Sequence, residues 1–178
     1  MMDAEKDFYL KASQVRLIIF DVDGVLTDGG IYFSDEGLEL KRFNSLDGHG
    51  IKMIQDFGIE PAVISARSTK SVEYRMANLG VKHFYQGQDN KLIAYNELVE
   101  KLCLESNQVA YMGDDVIDLP VMLKVGLPIA VANAHDLVKE NSILVTKKSG
   151  GSGAVREVCD MLLKSQNNYE KAIERYML

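Results

Sequence analysis

Ile18-Ile19-Phe20-Asp21-Val22-Asp23-Gly24-Val25-Leu26-Thr27-Asp28-Gly29 is an apolar run that ends in two carboxylates spaced by one residue. Four to five apolar residues closed by a turn signal read as a buried strand. A turn that begins at Asp21 aims both acids into the space above the strand end, and Gly24 lets the chain leave the strand tightly. Two acids held so close repel one another, so the arrangement calls for a cation, a shared proton or two different tasks. Taken alone, the same four residues read equally well as an Asx-type turn after a buried strand.

Composition narrows the choices. The chain has 178 residues, of which 47% are hydrophobic, enough for one domain spanning 1-178 with a substantial core. A formal net charge of -6 disfavours a polyanion-binding surface, so no nucleic-acid partner is expected. Cys103 and Cys159 lie in apolar, helix-like segments without a Cys/His grouping, which fits reduced core thiols rather than a disulfide framework or a zinc site. The charged start Met1 to Asp7 and the lack of a membrane-length apolar run point to a cytoplasmic protein with no membrane partner.

Outward from the opening strand, the pattern alternates. Asp3 to Ser13 reads as an amphipathic helix with Phe8 and Leu10 as core contacts, ahead of a strand at 16–20. Ile31-Tyr32-Phe33 and Leu38 to Phe43 flank the turn-rich Ser34-Asp35-Glu36-Gly37 and predict a protruding β-hairpin. Helices follow at 50–57, 69–79, 91–102, 119–124 and 135–140, interleaved with strands at 59–65, 81–85, 108–112, 128–132 and 143–146. Such alternation implies an α/β fold, a three-layer Rossmann-like parallel sheet with helices on both faces. Gly150-Gly151-Ser152-Gly153 reads as a flexible loop before a helix carrying Val155, Val158, Leu162 and Leu163, with a further short helix or an extension after it.

Parallel α/β sheets place their sites beyond the C-terminal ends of the strands. Four signals fall there: Asp21 with Asp23, Ser65, Lys91 at a helix start, and Asp114 with Asp115 after a strand. Each has a plainer reading by itself. Lys91 could be a solvated first-turn lysine, Ser65 a turn hydroxyl, Asp114 a helix start, and Asp118 a surface cap. Their convergence carries the argument.

With those residues in order and spacing, DVDGVLTDG, Ser65, Lys91 and GDDVIDLP, the chain resembles the haloacid dehalogenase superfamily of phosphotransferases over nearly its whole length. The resemblance implies that Asp21 is the nucleophile that becomes an aspartyl phosphate and that Asp23 is the acid and base. It implies Mg²⁺ held by the carboxylates of Asp21 and Asp114 and the backbone carbonyl of Asp23, with Asp115 and Asp118 supporting them. Ser65 and Lys91 would hold the phosphoryl oxygens.

No cap domain fits between the motifs, and the chain most resembles a capless subfamily, the 3-deoxy-D-manno-octulosonate 8-phosphate phosphatases of lipopolysaccharide precursor synthesis. The markers are the DGVLTDG start, Phe43-Asn44 leading to Asp47-Gly48-His49-Gly50-Ile51-Lys52, and Gly151-Ser152-Gly153-Ala154-Val155-Arg156-Glu157. The resemblance implies a homotetramer built through the hairpins, whose Ile31, Phe33, Leu38 and Leu40 suit that use or simple packing on the parent domain. For the carboxylate of an acidic sugar phosphate it points to Arg67 and Arg75, with Lys52 and a loop of Asn44, Ser45, Leu46, Asp47 and Gly48 nearby. Ala66 stands where the family more usually has glycine, and Leu46 and Lys52 stand where relatives often carry arginine. These departures lie toward the leaving group. Two alternatives are a phosphatase for a nine-carbon sialic-type sugar 9-phosphate and a noncatalytic assembly or regulatory module of the same fold, against which Asp23 argues.

Overall fold

In the computed structural model, which describes residues 2–177, the opening stretch is β1 (Leu17–Phe20), buried along its whole length. A strand with four consecutive buried residues needs cover on both faces, as in a parallel sheet. β1 pairs in parallel with β4 (Glu60–Ile64) on one side and β6 (Val109–Gly113) on the other. Outside these lie β5 (His83–Tyr85), β7 (Leu127–Ala130) and β8 (Leu144–Val145). The six-stranded order β5-β4-β1-β6-β7-β8 makes β1 the strand from which the chain builds first to one edge and then to the other. That reversal opens a crevice beyond the ends of β1 and β6.

Helices cover both faces, as the alternation predicts. One layer holds α1 (Met2–Ala12), α2 (Ser45–Asp56), α3 (Lys70–Leu79) and α7 (Ala154–Ser165), with α8 (Tyr169–Glu174) packed on α7. The opposite layer holds α4 (Lys91–Leu102), α5 (Leu119–Met122) and α6 (Asp136–Glu140). Phe8 is buried as expected, but Leu10 is 65% exposed, because α1 presents to α7 and the sheet only the face carrying Phe8 and Ala12. The expected hairpin is present as β2 (Tyr32–Phe33) and β3 (Glu39–Leu40), and a bridge between Thr27 and Phe43 closes its base.

Cys103 is exposed rather than a core thiol, and two further expectations need correction. α2 begins at Ser45, five residues before the predicted start, so the segment 44–48 is a helix N-terminus rather than a loop. Asn44 caps it by accepting from the Leu46 amide at 2.8 Å. Gly48 and Gly50 hid this start, since glycine disfavours helix interiors, yet here their missing side chains are needed. A Cβ on Gly48 would meet the Arg75 guanidinium at 2.0 Å, and one on Gly50 would press on Arg156 and Cys159 of α7 at 3.0–3.1 Å.

The second correction is the glycine segment, which is pinned rather than flexible. Gly150, Gly151 and Gly153 are buried, and the Gly151 amide donates to the Val25 carbonyl at 2.9 Å. The Gly150 amide donates to Asn133 Oδ1 at 2.9 Å. Asp47 completes the clamp: one carboxylate oxygen accepts from the Gly153 amide at 3.2 Å and the other from the Arg156 amide at 2.8 Å, across the start of α7. An acid at a helix N-terminus satisfies orphan donors and the helix dipole together. Asp47 is 1% exposed, so replacing it leaves both amides without an acceptor. Asp47→Ala is expected to lower unfolding stability by about 2–3 kcal/mol in urea, with little change in m-value.

Candidate active site

The turn after β1 is one wide loop, Val22–Leu26, in which Asp23 and Gly24 leave helical geometry. Thr27 holds it shut: its buried hydroxyl donates to the Val22 carbonyl at 3.2 Å and accepts from the Gly24 and Gly29 amides at 3.3 Å each. Gly24 has φ of +93°, and a Cβ there would fall 2.0 Å from Asp114 Oδ2. A side chain at this position is therefore excluded twice, by backbone conformation and by the carboxylate lying against it. The opening motif and the Gly-Asp-Asp motif are packed into one site.

Asp21 is 4% exposed. Its Oδ1 lies 2.7 Å from the Lys91 ammonium, which is also 2.7 Å from Asp118 Oδ1. Lys91 begins α4 and is itself buried, which sets aside the solvated first-turn reading. Asp118 is fully engaged. Oδ1 also accepts from the Tyr111 hydroxyl at 2.6 Å, while Oδ2 accepts from the Asp114 and Asp115 amides at 3.0 and 3.3 Å. Four donors fill the capacity of one carboxylate. One of its oxygens lies within 4.8 Å of one oxygen each of Asp21 and Asp114, but both Asp118 oxygens are occupied, so the acceptors left for a cation belong to Asp21 and Asp114. Asp115 is exposed and accepts from the Val116 amide at 2.7 Å as a local cap. The support beneath Asp114 thus comes from Asp118.

Charge in this cluster is unbalanced. Burial, reinforced by the charge of Asp118, pushes the Asp21 carboxyl up to about 7 against the pull of Lys91. Burial and the charges of Asp21 and Asp118 push Asp114 from 3.8 to about 8. Asp114 Oδ1 is buried with no hydrogen-bond partner. Two oxygen donors that cannot comfortably ionise together, one of them orphaned, fit a hard divalent cation.

The remaining predicted residues divide by location. Ser65 follows β4 directly and is 2% exposed, its Oγ accepting the Arg67 amide at 3.3 Å. Asp23 shares no partner with Asp21 among the described residues: its Oδ1 takes the Lys41 ammonium, and its Oδ2 lies 3.9 Å from Arg67 Nε. Arg67 is exposed and holds Glu39 at 2.6 Å. Arg75 is wedged over the Phe43 ring and donates to the Asn44 carbonyl at 3.3 Å. Ser45 and Leu46 are exposed on the first turn of α2, Gly48 lies beneath Arg75, and Asn44 Nδ2 donates to the Gly151 carbonyl at 3.4 Å. Lys52 is exposed and lines a separate depression with Gln55, Arg175 and Tyr176. Within this chain the structure joins Arg67 to the acids and sets Lys52 apart.

Sequence reasoning missed Lys41, Glu39 and Tyr111. For the first two a signal existed, since residues two apart on a strand share a face and Glu39 and Lys41 are so spaced. Tyr111 lies inside an apolar strand run, and nothing in its spacing set it apart from core.

A carboxyl held above its unfolded value binds more protons folded than unfolded, so folding weakens as pH rises from the ordinary 3.8 through about 7 and about 8. Metal-free protein is therefore expected to lose thermal stability between about pH 5 and about pH 8, and millimolar Mg²⁺ to restore more of it at the higher pH. Asp114→Asn is expected to remove most of that Mg²⁺-dependent rise in a thermal-shift measurement.

The model of the haloacid dehalogenase-like hydrolases matches residues 83–158. The 3-deoxy-D-manno-octulosonate 8-phosphate phosphatase KdsC of Escherichia coli (strain K12) is 54% identical over 166 residues, 93% of this chain and 88% of that one. The crystal structure of the same phosphatase from Yersinia pestis has a TM-score of 0.91 at 49% identity, covering 92% of this chain and 89% of that one. The enzyme of this name from Moraxella catarrhalis, solved with a magnesium ion, a phosphate ion and a KDO molecule, has a TM-score of 0.94 at 42% identity, covering 96% and 98%. The chain belongs to the haloacid dehalogenase-like hydrolases, in the branch of its KdsC relatives.

Proposed function

We propose that the chain is a Mg²⁺-dependent phosphatase that hydrolyses 3-deoxy-D-manno-octulosonate 8-phosphate to the free sugar and phosphate, in lipopolysaccharide precursor synthesis. The observation that carries this reading is the unequal bonding of the first two acids. Asp21 is fixed by a buried ammonium beside Asp114, whereas Asp23 points to a different set of cations. Relatives bearing that substrate in their name, at 54% identity across 93% of the chain, support the choice of sugar.

In this reading Asp21 attacks phosphorus, the bond to the sugar oxygen breaks, and Asp23 protonates the departing alkoxide. Water then attacks the aspartyl phosphate, Asp23 takes its proton, and Asp21 is regenerated. Mg²⁺ bound by the Asp21 and Asp114 carboxylates and the Asp23 backbone carbonyl would neutralise the meeting of anionic nucleophile and phosphate. The Ser65 hydroxyl and the Lys91 ammonium hold phosphoryl oxygens. An ammonium has three donors, and two of those on Lys91 point at Asp21 and Asp118. Asp118 braces the loop that carries Asp114, and Asp115 caps the turn that follows.

The substrate carboxylate is assigned to the cationic residues Arg67, Arg75 and Lys52, with Asn44, Ser45, Leu46, Asp47 and Gly48 framing Arg75. Lys52 and Arg75 lie outside the acid cluster of their own chain, which supports a site completed by neighbouring copies. A homotetramer built through the hairpin would supply them, and Ile31, Phe33, Leu38 and Leu40 are each more than half exposed. The whole span 1–178 is read as one phosphatase domain. No helix of the described residues is long and apolar enough to cross a membrane, consistent with the cytoplasmic location we assign.

Phosphate release from the octulosonate 8-phosphate is expected to require Mg²⁺ and to exceed release from a nine-carbon sialic-type sugar 9-phosphate in kcat/KM. A reversed preference transfers the assignment to the nine-carbon substrate, and no release from either ester ends it. Asp21→Asn is expected to leave no measurable turnover, and Asp23→Asn to cost about 10²–10⁴-fold with Mg²⁺ affinity nearly unchanged.

A further inference from the structure

Lys41 lies on the return limb of the hairpin, between β3 and the Thr27–Phe43 bridge. Its side chain is 1% exposed, unusual for a lysine in an otherwise open arm. The ammonium donates to Asp23 Oδ1. It also pairs with Glu39 Oε1 at 2.8 Å. Glu39 Oε2 holds the Arg67 guanidinium at 2.6 Å, and Arg67 Nε returns to within 3.9 Å of Asp23 Oδ2. Lys41, Asp23, Arg67 and Glu39 thus form a closed ring of alternating charge.

We propose that Lys41 is a positioning residue for proton transfer, holding Asp23 by Oδ1 so that Oδ2 alone delivers and recovers the proton. This rests on the reading of Asp23 as the acid and base. An ammonium is only a donor, so the oxygen it touches cannot also present a proton. In the first half-reaction the Asp21 oxygen bonds to phosphorus, the bond from phosphorus to the sugar oxygen breaks, and the proton on Asp23 Oδ2 passes to that oxygen. In the second, water bonds to phosphorus, the bond to Asp21 breaks, and one water proton returns to Oδ2. Lys41 neither gains nor loses a proton, and its side chain fixes the carboxylate about its own axis. The hairpin is thereby part of the chemistry as well as of the molecular outline.

The test separates leaving groups that need a proton from those that do not. An aryl oxide such as p-nitrophenolate departs unprotonated, whereas the sugar alkoxide does not. The comparison is made in kcat/KM, which covers the steps through leaving-group departure and excludes hydrolysis of the common aspartyl phosphate. Lys41→Met is expected to lose about 10²-fold or more on the octulosonate 8-phosphate but less than about 5-fold on p-nitrophenyl phosphate. Lys41→Arg, which keeps the charged donor, is expected to restore most of the selectivity for the sugar ester. Should the methionine variant fail to fold, Lys41→Gln carries the same comparison. Equal losses in kcat/KM on both esters overturn the proposal by making Lys41 a substrate contact or a structural post. Asp23→Asn serves as the reference. If it too shows no selectivity between the esters, the reading of Asp23 fails; if it does and Lys41→Met does not, only the role of Lys41 fails.

Discussion

A single buried ammonium, that of Lys91, binds the carboxylate at the end of β1 to the one that props the loop after β6. Breaking a buried ion pair by removing one partner costs about 3–5 kcal/mol, because the abandoned charge has no water to turn to. Here one cation serves two acids, and Tyr111 adds a hydroxyl from inside the sheet. The net result is a site still short of positive charge, with Asp114 held nearest to neutrality. That deficit is what makes the site receptive to a metal, so the stability of the empty cluster and its affinity for a cation oppose each other.

Much of this was legible in the chain because the chemistry is dense in sequence. Asp21 with Asp23 and Asp114 with Asp115 each follow an element whose apolar pattern is strong, Lys91 opens a helix after a polar connection, and the parallel sheet gathers their ends. What escaped had no distinct pattern. Glycines 48 and 50 disfavour a helix interior, yet α2 runs through both since a guanidinium and a neighbouring helix occupy the space of their side chains. Glu39 and Lys41 alternate with apolar residues as any exposed hairpin would, and only the base bridge of Thr27 with Phe43 brings them over the site.

The substrate residues taught a different lesson. The family resemblance grouped Arg67, Arg75 and Lys52, and the folded chain gives each a different environment: an ion pair with Glu39, a ring face, and open solvent. Asp47 joined the same group by proximity in sequence and turned out to hold the start of α7. Polar residues near a motif serve the backbone as often as the ligand, and deciding between the two requires knowing which amides lack partners.

The contact between the two glycine turns has a consequence for how the molecule tolerates change. A Cβ on Gly150 would fall 1.6 Å from the Gly24 carbonyl oxygen, and one on Gly151 would fall 2.4 Å from the backbone of Thr27 and Asp28. Backbone lies on backbone there, with no side chain between to yield. Segments more than a hundred residues apart therefore behave as one mechanical part. An insertion or a bulky replacement near residue 150 would be felt directly at the turn that carries Asp23 and Gly24.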